Sequence, residues 1–190
     1  TYLLAGDVLV DVTSDVRAVQ VRRGRSRTLE KFTAGNANIT LDNRDRAFDP
    51  LNASSPYYGS IVPRKEVRID VDGSYLFVGN VEDWNLGYSK SGTDTAEPSC
   101  ADGLSYLARQ TVSAGTSTEQ ASGARITALL DMANWPTTKR SVATGTRTMA
   151  ADVRNGEENL LTYAQKVELS EHGSFFVAKD GTITFRQDTP

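Results

Sequence analysis

The chain of 190 residues predicts a mainly β protein whose second part mixes helices with a hairpin. Three observations predict this class. Runs of β-branched residues alternate with polar ones across the first hundred positions. Two Asp-Gly pairs, Asp72-Gly73 and Asp180-Gly181, lie between such runs and mark hairpin turns. Beyond Asp102 the apolar spacing changes from two residues to three or four, the period of a helix. The expected division is a β-rich domain over 1–101 and an α+β domain over 102–190.

The elements follow in order. Val8 to Val12 and Val16 to Val21 read as strands, with Thr13-Ser14-Asp15 as the turn between them. Gly24 ends the second run. Ala37, Ile39 and Leu41 alternate with Asn38, Thr40 and Asp42, which predicts a half-buried strand. Phe48 to Gly59 reads as a loop, because two prolines and a Ser/Asn cluster exclude regular structure. Val67, Ile69 and Val71 alternate with Arg68, Asp70 and Asp72, and the chain returns through Tyr75 to Val81 and on to Leu86. Gly79 within the returning strand predicts a bulge or tight bend. Ser89 to Thr93 is a further turn, and Thr93 to Cys100 a strand weakened by Pro98. Asp102 is placed to cap a short helix, Gly103 to Gln110. Thr111 to Thr118 reads as a polar linker. Ile126, Leu129, Leu130 and Ala133 predict a helix that Trp135-Pro136 ends. Glu157, Leu160, Leu161, Ala164 and Val167 predict another, with Asn155 as N-cap. Phe175 to Ala178 and Thr182 to Arg186 form the second hairpin.

Composition narrows the function classes. Hydrophobic residues make up 38% and charged residues 24%, the balance of a folded soluble protein. A net charge of −3 argues against nucleic acid as the main partner. Arg17, Arg22, Arg23, Arg25, Arg27 and Lys31 form a local exception, opposed only by Glu30. A solvated strand-and-turn surface explains them most simply; an acidic neighbouring subunit is the second reading and nucleic acid the third. Cys100 is the sole cysteine, so no disulfide forms within the chain, which fits a cytosolic origin. It reads as a small, half-buried residue and not a nucleophile. No apolar run approaches the roughly 20 residues that cross a bilayer. The N-terminus lacks both a signal-peptide pattern and a starting Met, and the last residues follow directly on a strand. A processed chain or a piece of a longer protein, incomplete at its C-terminus, is the expectation.

Tests for chemistry fail. His172 is the only histidine and has no second ligand at metal spacing, and a capping or solvated role accounts for it. Asp42-Asn43-Arg44-Asp45 places an arginine where a calcium ligand belongs. No nucleophile elbow and no phosphate loop is present. Glu82 and Asp83 adjoin Trp84, but neighbours on a strand face opposite ways, so the two carboxylates do not converge on one sugar. The sequence therefore predicts no enzyme, no cofactor and no metal.

One segment stands out, Leu41 to Asn52. Five of the six residues from Asp42 to Asp49 other than Ala47 and Phe48 are charged, and their signs alternate. Guanidinium and carboxylate groups pair in bidentate fashion, so this pattern suits a self-paired corner or a protein–protein contact. Arg44, Asp45, Arg46 and Asp49 are the candidate contact residues, with Phe48 and Tyr57 as apolar anchors.

This segment also carries a family resemblance, together with Asp11 to Arg17, Val19 to Arg25, Ala34 to Ala37, Ser55-Pro56-Tyr57-Tyr58-Gly59 and Val78 to Trp84. In this order the motifs resemble minor tail proteins of long-tailed phages that infect actinobacteria, which are similar to the tail-tip or baseplate hub family. The resemblance spans residues 8–110; a looser one, over 157–186, includes Gly173 to Val177. It implies a β-barrel-like tube domain that joins other copies, as a homotrimeric ring of pseudo-six-fold character, to continue or close the tail tube. The partners it implies are the distal tail protein, the tape measure protein and other tail-tip or fibre proteins, with no membrane and no specific nucleic-acid binding. It implies a structural virion protein at the tail tip, assembled in the host cytoplasm, with no catalytic residues. The residues agree, since a tube subunit must seal its strand edges against neighbours. A receptor- or carbohydrate-binding module at the same tip is the second reading, and a cell-wall hydrolase the third.

Overall fold

The computed structural model describes residues 1–5, 8–25 and 31–187. Arg27 and Glu30 of the basic stretch, and Asp188 to Pro190, lie outside the described residues. The protein is mainly β, and it divides into two compact units. The first holds Thr1–Arg23 and Gly35–Asp102, and the second Gly24–Ala34 and Gly103–Pro190. This differs from a simple cut at 101/102 by one residue, Asp102, which stays with the first unit, and in the allegiance of residues 24–34. Phe32 supplies the reason. Its ring lies 5.0 Å from that of Phe176, and its carbonyl accepts a hydrogen bond from Gln165.

The first unit is one antiparallel sheet of seven strands: β1 (Tyr2–Ala5), β2 (Val8–Asp11), β3 (Val16–Arg22), β4 (Asn36–Asp42), β5 (Glu66–Val71), β6 (Ser74–Gly87) and β7 (Thr95–Ala101). Their order is β2-β1-β5-β6-β7-β4-β3. The two outermost strands, β2 and β3, are thus consecutive in sequence. In a flat sheet they would stand about 29 Å apart, six gaps of about 4.8 Å. The chain from Asp11 to Val16 reaches at most about 18 Å when extended, and Thr13–Asp15 is wound into a 3-10 turn. The sheet therefore curls until its edges approach, which makes the unit barrel-like. Register shifts at Val16/Ala18, Ile69/Asp70 and Val81/Asp83 supply local bends.

Alternation sorts the faces as the sequence predicts. Ala37, Ile39 and Leu41 of β4 and Val67 and Ile69 of β5 are buried, and they meet Phe48, Phe77 and Val81 in one core. Asp72 and Gly73 both have positive φ, as a two-residue hairpin turn requires. β6 pairs with β5 as far as Asn80 and with β7 from Asn80 onward. Gly79 sits at this handover. It is not a bulge, as the sequence had predicted in part, but a close approach: a Cβ there would meet the Ala101 carbonyl at 2.4 Å and the Phe77 ring at 2.6 Å. Pro98 lies in a central strand. Its missing N–H opens the β4–β7 ladder, which pairs Asn38 with Ser99 and Leu41 with Ala96 but neither residue between. Cys100 is fully buried, not half-buried, and burial pushes its thiol up to about 12.

The second unit contains α1 (Gly103–Ala108), β8 (Gly115–Ser117), β9 (Gln120–Ala121), α2 (Ser122–Met132), β10 (Arg140–Val142), β11 (Thr148–Met149), β12 (Asp152–Arg154), α3 (Leu160–Glu171), β13 (Ser174–Val177) and β14 (Ile183–Arg186). β13 and β14 form the predicted hairpin, and β10 joins β14 in parallel. Ile126, Leu130, Leu160, Phe175 and Ile183 form the core. Two expectations are corrected. The stretch 111–118 is no free linker: Val112 is buried and β8 pairs with β12. Asn159, not Asn155, caps α3, its Oδ1 accepting from Thr162 N–H at 2.8 Å. Asn155 instead takes the Glu157 N–H, because the chain between the two makes a turn before the helix begins.

Candidate functional site

The site begins where β4 ends. Asn43 extends the ladder by one bond to the Asp94 carbonyl, and the chain then turns repeatedly. The N–H groups of Arg46, Asp49, Asn52, Ser55 and Tyr58 each donate to the carbonyl three residues earlier. The result is a staircase of β-turns advancing three residues at a time. Short polar side chains build the treads. The oxygens of Asp42, Asp45, Asp49, Asn52 and Ser55 each accept the N–H two residues ahead, at 2.9–3.1 Å. These are Asx and Ser/Thr turns, in which a side-chain oxygen stands in for a backbone carbonyl. Pro50 holds the φ that a turn opened by Asp49 needs.

Asn43 fastens the staircase to the sheet. It is fully buried, its Oδ1 accepts from Phe48 N–H at 2.9 Å, and its Nδ2 has no partner. Phe48 is fully buried in the core and stacks on Tyr57, with ring centroids 5.1 Å apart and planes 12° apart. Asn52 Nδ2 donates to the Arg46 carbonyl, and Ser55 Oγ to that of Ala47.

The charges pair locally. Arg44 Nε and NH2 both reach Asp42, which also meets Arg17 at 2.8 Å. The Arg44 guanidinium holds the Asp42 carboxyl far below the usual carboxylate range, against the upward push of burial, with help from Arg17. Arg46 takes a positive φ and reaches Asp49 with Nε at 2.9 Å and NH2 at 2.5 Å. Asp49 is almost wholly buried, and it is lowered by Arg46, by the Leu51 N–H and by the Tyr88 hydroxyl. Burial, then the charge on Asp49, raises Tyr88. Burial likewise raises Tyr57, with Asp15 and Asp45 adding to it.

All six residues singled out in the sequence thus stand on one corner, in three local arrangements: Arg44 on Asp42, Arg46 on Asp49, and Phe48 on Tyr57. Asp45 is a turn-former. Sequence reasoning missed Asn43, Asn52 and Ser55. The signal for Asn52 and Ser55 was a short polar residue recurring at 42, 45, 49, 52 and 55; for Asn43, nothing local marks it as buried. Asp42 and Asp49 lie below and Tyr57 and Tyr88 above their ordinary ranges, so these four groups hold their charge states around neutrality. Leu51 (84%) and Tyr58 (60%) stand exposed beside these fixed charges. Asp42 and Asp49 are occupied by arginines, and no cluster of three metal-ligating groups occurs among the described residues.

No protein-family model matches the chain, and no curated protein matches it in sequence. Solved structures do. The 43 kDa tail protein of prophage MuSo2 from Shewanella oneidensis aligns with 99% of this chain and 52% of its own, with a TM-score of 0.65 and 14% identity. The tail protein from Neisseria meningitidis MC58 aligns with 97% of this chain and 50% of its own, with a TM-score of 0.65 and 14% identity. The E. coli c3393 protein, a component of the type VI secretion system described as structurally similar to the T4 tail proteins gp27 and gp5, aligns with 92% of this chain and 48% of its own, with a TM-score of 0.57 and 16% identity. The chain spans about half the length of each. Across nearly all of its residues, it has the fold of phage tail proteins.

Proposed function

We propose that this chain is a structural protein of a phage tail tip, a baseplate hub or minor tail protein. Its copies form a homotrimeric ring that continues or closes the tail tube. The ring anchors the distal tail protein, the tape measure protein and other tip or fibre proteins. The chain transforms no molecule and travels in the virion after assembly in the host cytoplasm. The fold shared with two tail proteins, one of them from a prophage, over almost the whole chain, is the observation that carries this reading. The motifs from residue 8 to 110 support it and point to long-tailed phages of actinobacteria. The corner is consistent with it, since fixed charges beside exposed apolar groups suit a subunit contact.

Immunogold electron microscopy of purified phage particles tests the position, and quantitative mass spectrometry of the same particles tests the copy number. Label confined to the tail tip, at three copies per particle or a multiple of three, is expected. Absence of the chain from purified particles would end the proposal.

A further inference from the structure

We propose that a hollow on the outer face of the seven-stranded sheet, where the β4–β7 ladder opens at Pro98, binds a neutral saccharide unit. The hollow encloses about 440 Å³, within the usual size of a small-molecule site. Register places its walls. Gln20 of β3 stands opposite Asn38 of β4, Asn38 opposite Ser99 of β7, and Glu97 of β7 opposite Asn85 of β6. Directly opposed residues share a face, and Ala37, Ile39 and Leu41 occupy the other face, in the core. Gln20, Asn38, Thr40, Asn85, Glu97 and Ser99, from four adjacent strands, thus line one polar hollow.

Its floor is main chain. Ile39 borders the hollow too, although its side chain lies in the core, so it does so through its backbone. Neighbouring bonds show which group stands there. Asn43 N–H donates to the Asp94 carbonyl, and Asp102 N–H to that of Gly35. In an antiparallel ladder such bonded pairs recur at every second residue, which makes Ile39 and Pro98 one of them. Proline has no N–H to give. The carbonyl of Ile39, a residue 1% exposed, is left without its ladder donor. A buried carbonyl in that position favours any ligand that brings a donor.

The lining selects the class of ligand. No lysine, arginine or histidine borders the hollow and Glu97 is its only charge, so an anion finds no partner. One carboxylate makes no metal site, and no cluster of three ligating groups occurs among the described residues. A lone exposed carboxylate holds an organic cation weakly. β4, β7 and β6 are paired on both sides, so they offer an extended peptide no free edge. What remains is a group of amides and hydroxyls, which both donate and accept, as the hydroxyls around a sugar ring do. Among the described residues, none of the six side chains is hydrogen-bonded or ion-paired to another residue, so all six are available to a ligand.

The test titrates nitrogen-15-labelled protein with maltose, cellobiose and N,N′-diacetylchitobiose, and with glucuronic acid as the acidic counterpart. At least one neutral disaccharide should shift the backbone amides of Gln20, Asn38, Thr40, Glu97 and Ser99, with a Kd of about 1–10 mM, the affinity of a few net hydrogen bonds. Glucuronic acid should bind at least about tenfold more weakly, and Glu97→Gln should remove that difference. Asn38→Ala and Asn85→Ala, on different strands, should each weaken binding at least about fivefold while leaving the spectrum otherwise native. Pro98→Ala returns a ladder donor to the Ile39 carbonyl and should weaken binding by a similar factor. No shift at these amides with any of the three neutral sugars overturns the proposal. So does equal binding of glucuronic acid to the unaltered chain, or undiminished binding by both asparagine variants or by Pro98→Ala. Saccharide binding here is independent of where the chain sits in a particle, so either result leaves the tail-tip reading standing.

Discussion

Asp49 shows how little of an alternating charge pattern concerns charge alone. One of its oxygens forms the turn to Leu51, and the other takes Arg46 and Tyr88. Its neighbour Phe48 carries the packing. Truncating a fully buried phenylalanine costs the transfer of its ring and leaves a cavity. Phe48→Ala should therefore destabilise the first unit by about 3–5 kcal/mol in urea unfolding, with the second unit's transition unmoved. In the second unit, Glu171 is buried. Burial pushes its carboxyl up, but the Thr146 and Arg147 N–H groups and the Ser122 and Thr146 hydroxyls outweigh that and hold it at about 2. Its ordinary value is 4.5, so the folded state is the weaker proton binder. The stability it contributes is present in full above about 4.5 and is lost as pH falls toward 2. Glu171→Gln should remove that acid dependence from the second unit's unfolding curve. At neutral pH it should cost roughly 2–3 kcal/mol, because an amide cannot accept all four bonds.

At the scale of elements, the caps and close approaches decide. Asn159→Ala should cost about 1 kcal/mol of the second unit's stability, the usual worth of an N-cap, whereas Asn155→Ala should cost measurably less in the same thermal melt. Gly79→Ala should destabilise the first unit by about 1–3 kcal/mol, because its methyl group would collide with backbone at Ala101, which cannot swing aside. Most strands were legible because alternation records which side of a strand is buried, and both Asp-Gly hairpins were legible because few residues tolerate the turn. The N-cap was misplaced because Asn155 and Asn159 are equivalent in propensity; only where the Thr111–Asn159 bridge holds the chain separates them. β1 carried no turn signal of its own and becomes a strand through its pairing with β2 and β5. The corner was found by its charges, but its mechanism was not. An Asx turn is a bond to a backbone N–H, and no residue type announces which N–H is free to make it.

At the scale of the molecule, the tail-tip proposal predicts a separation of folding from assembly. Arg44 and Arg46 are largely exposed even while paired. Removing them leaves Asp42 with Arg17, and Asp49 with Leu51 and Tyr88. The Arg44→Ala/Arg46→Ala variant should therefore keep its far-ultraviolet circular dichroism and lose self-association in sedimentation velocity. Unchanged association would remove the corner from the subunit contact.

Period, turn chemistry and composition settled from the amino acids alone that this is a mainly β protein followed by helices and a hairpin, because those signals act within a few residues. Folding in three dimensions settled which strands became neighbours, that residues 24–34 belong to the second unit, and that Asn43 is buried. Such outcomes depend on apolar area shared between segments far apart in sequence, and no local pattern encodes that area. The curl of the sheet lies between the two. A short link from Asp11 to Val16 was always visible, but it became a constraint only once the strands it joins took opposite edges.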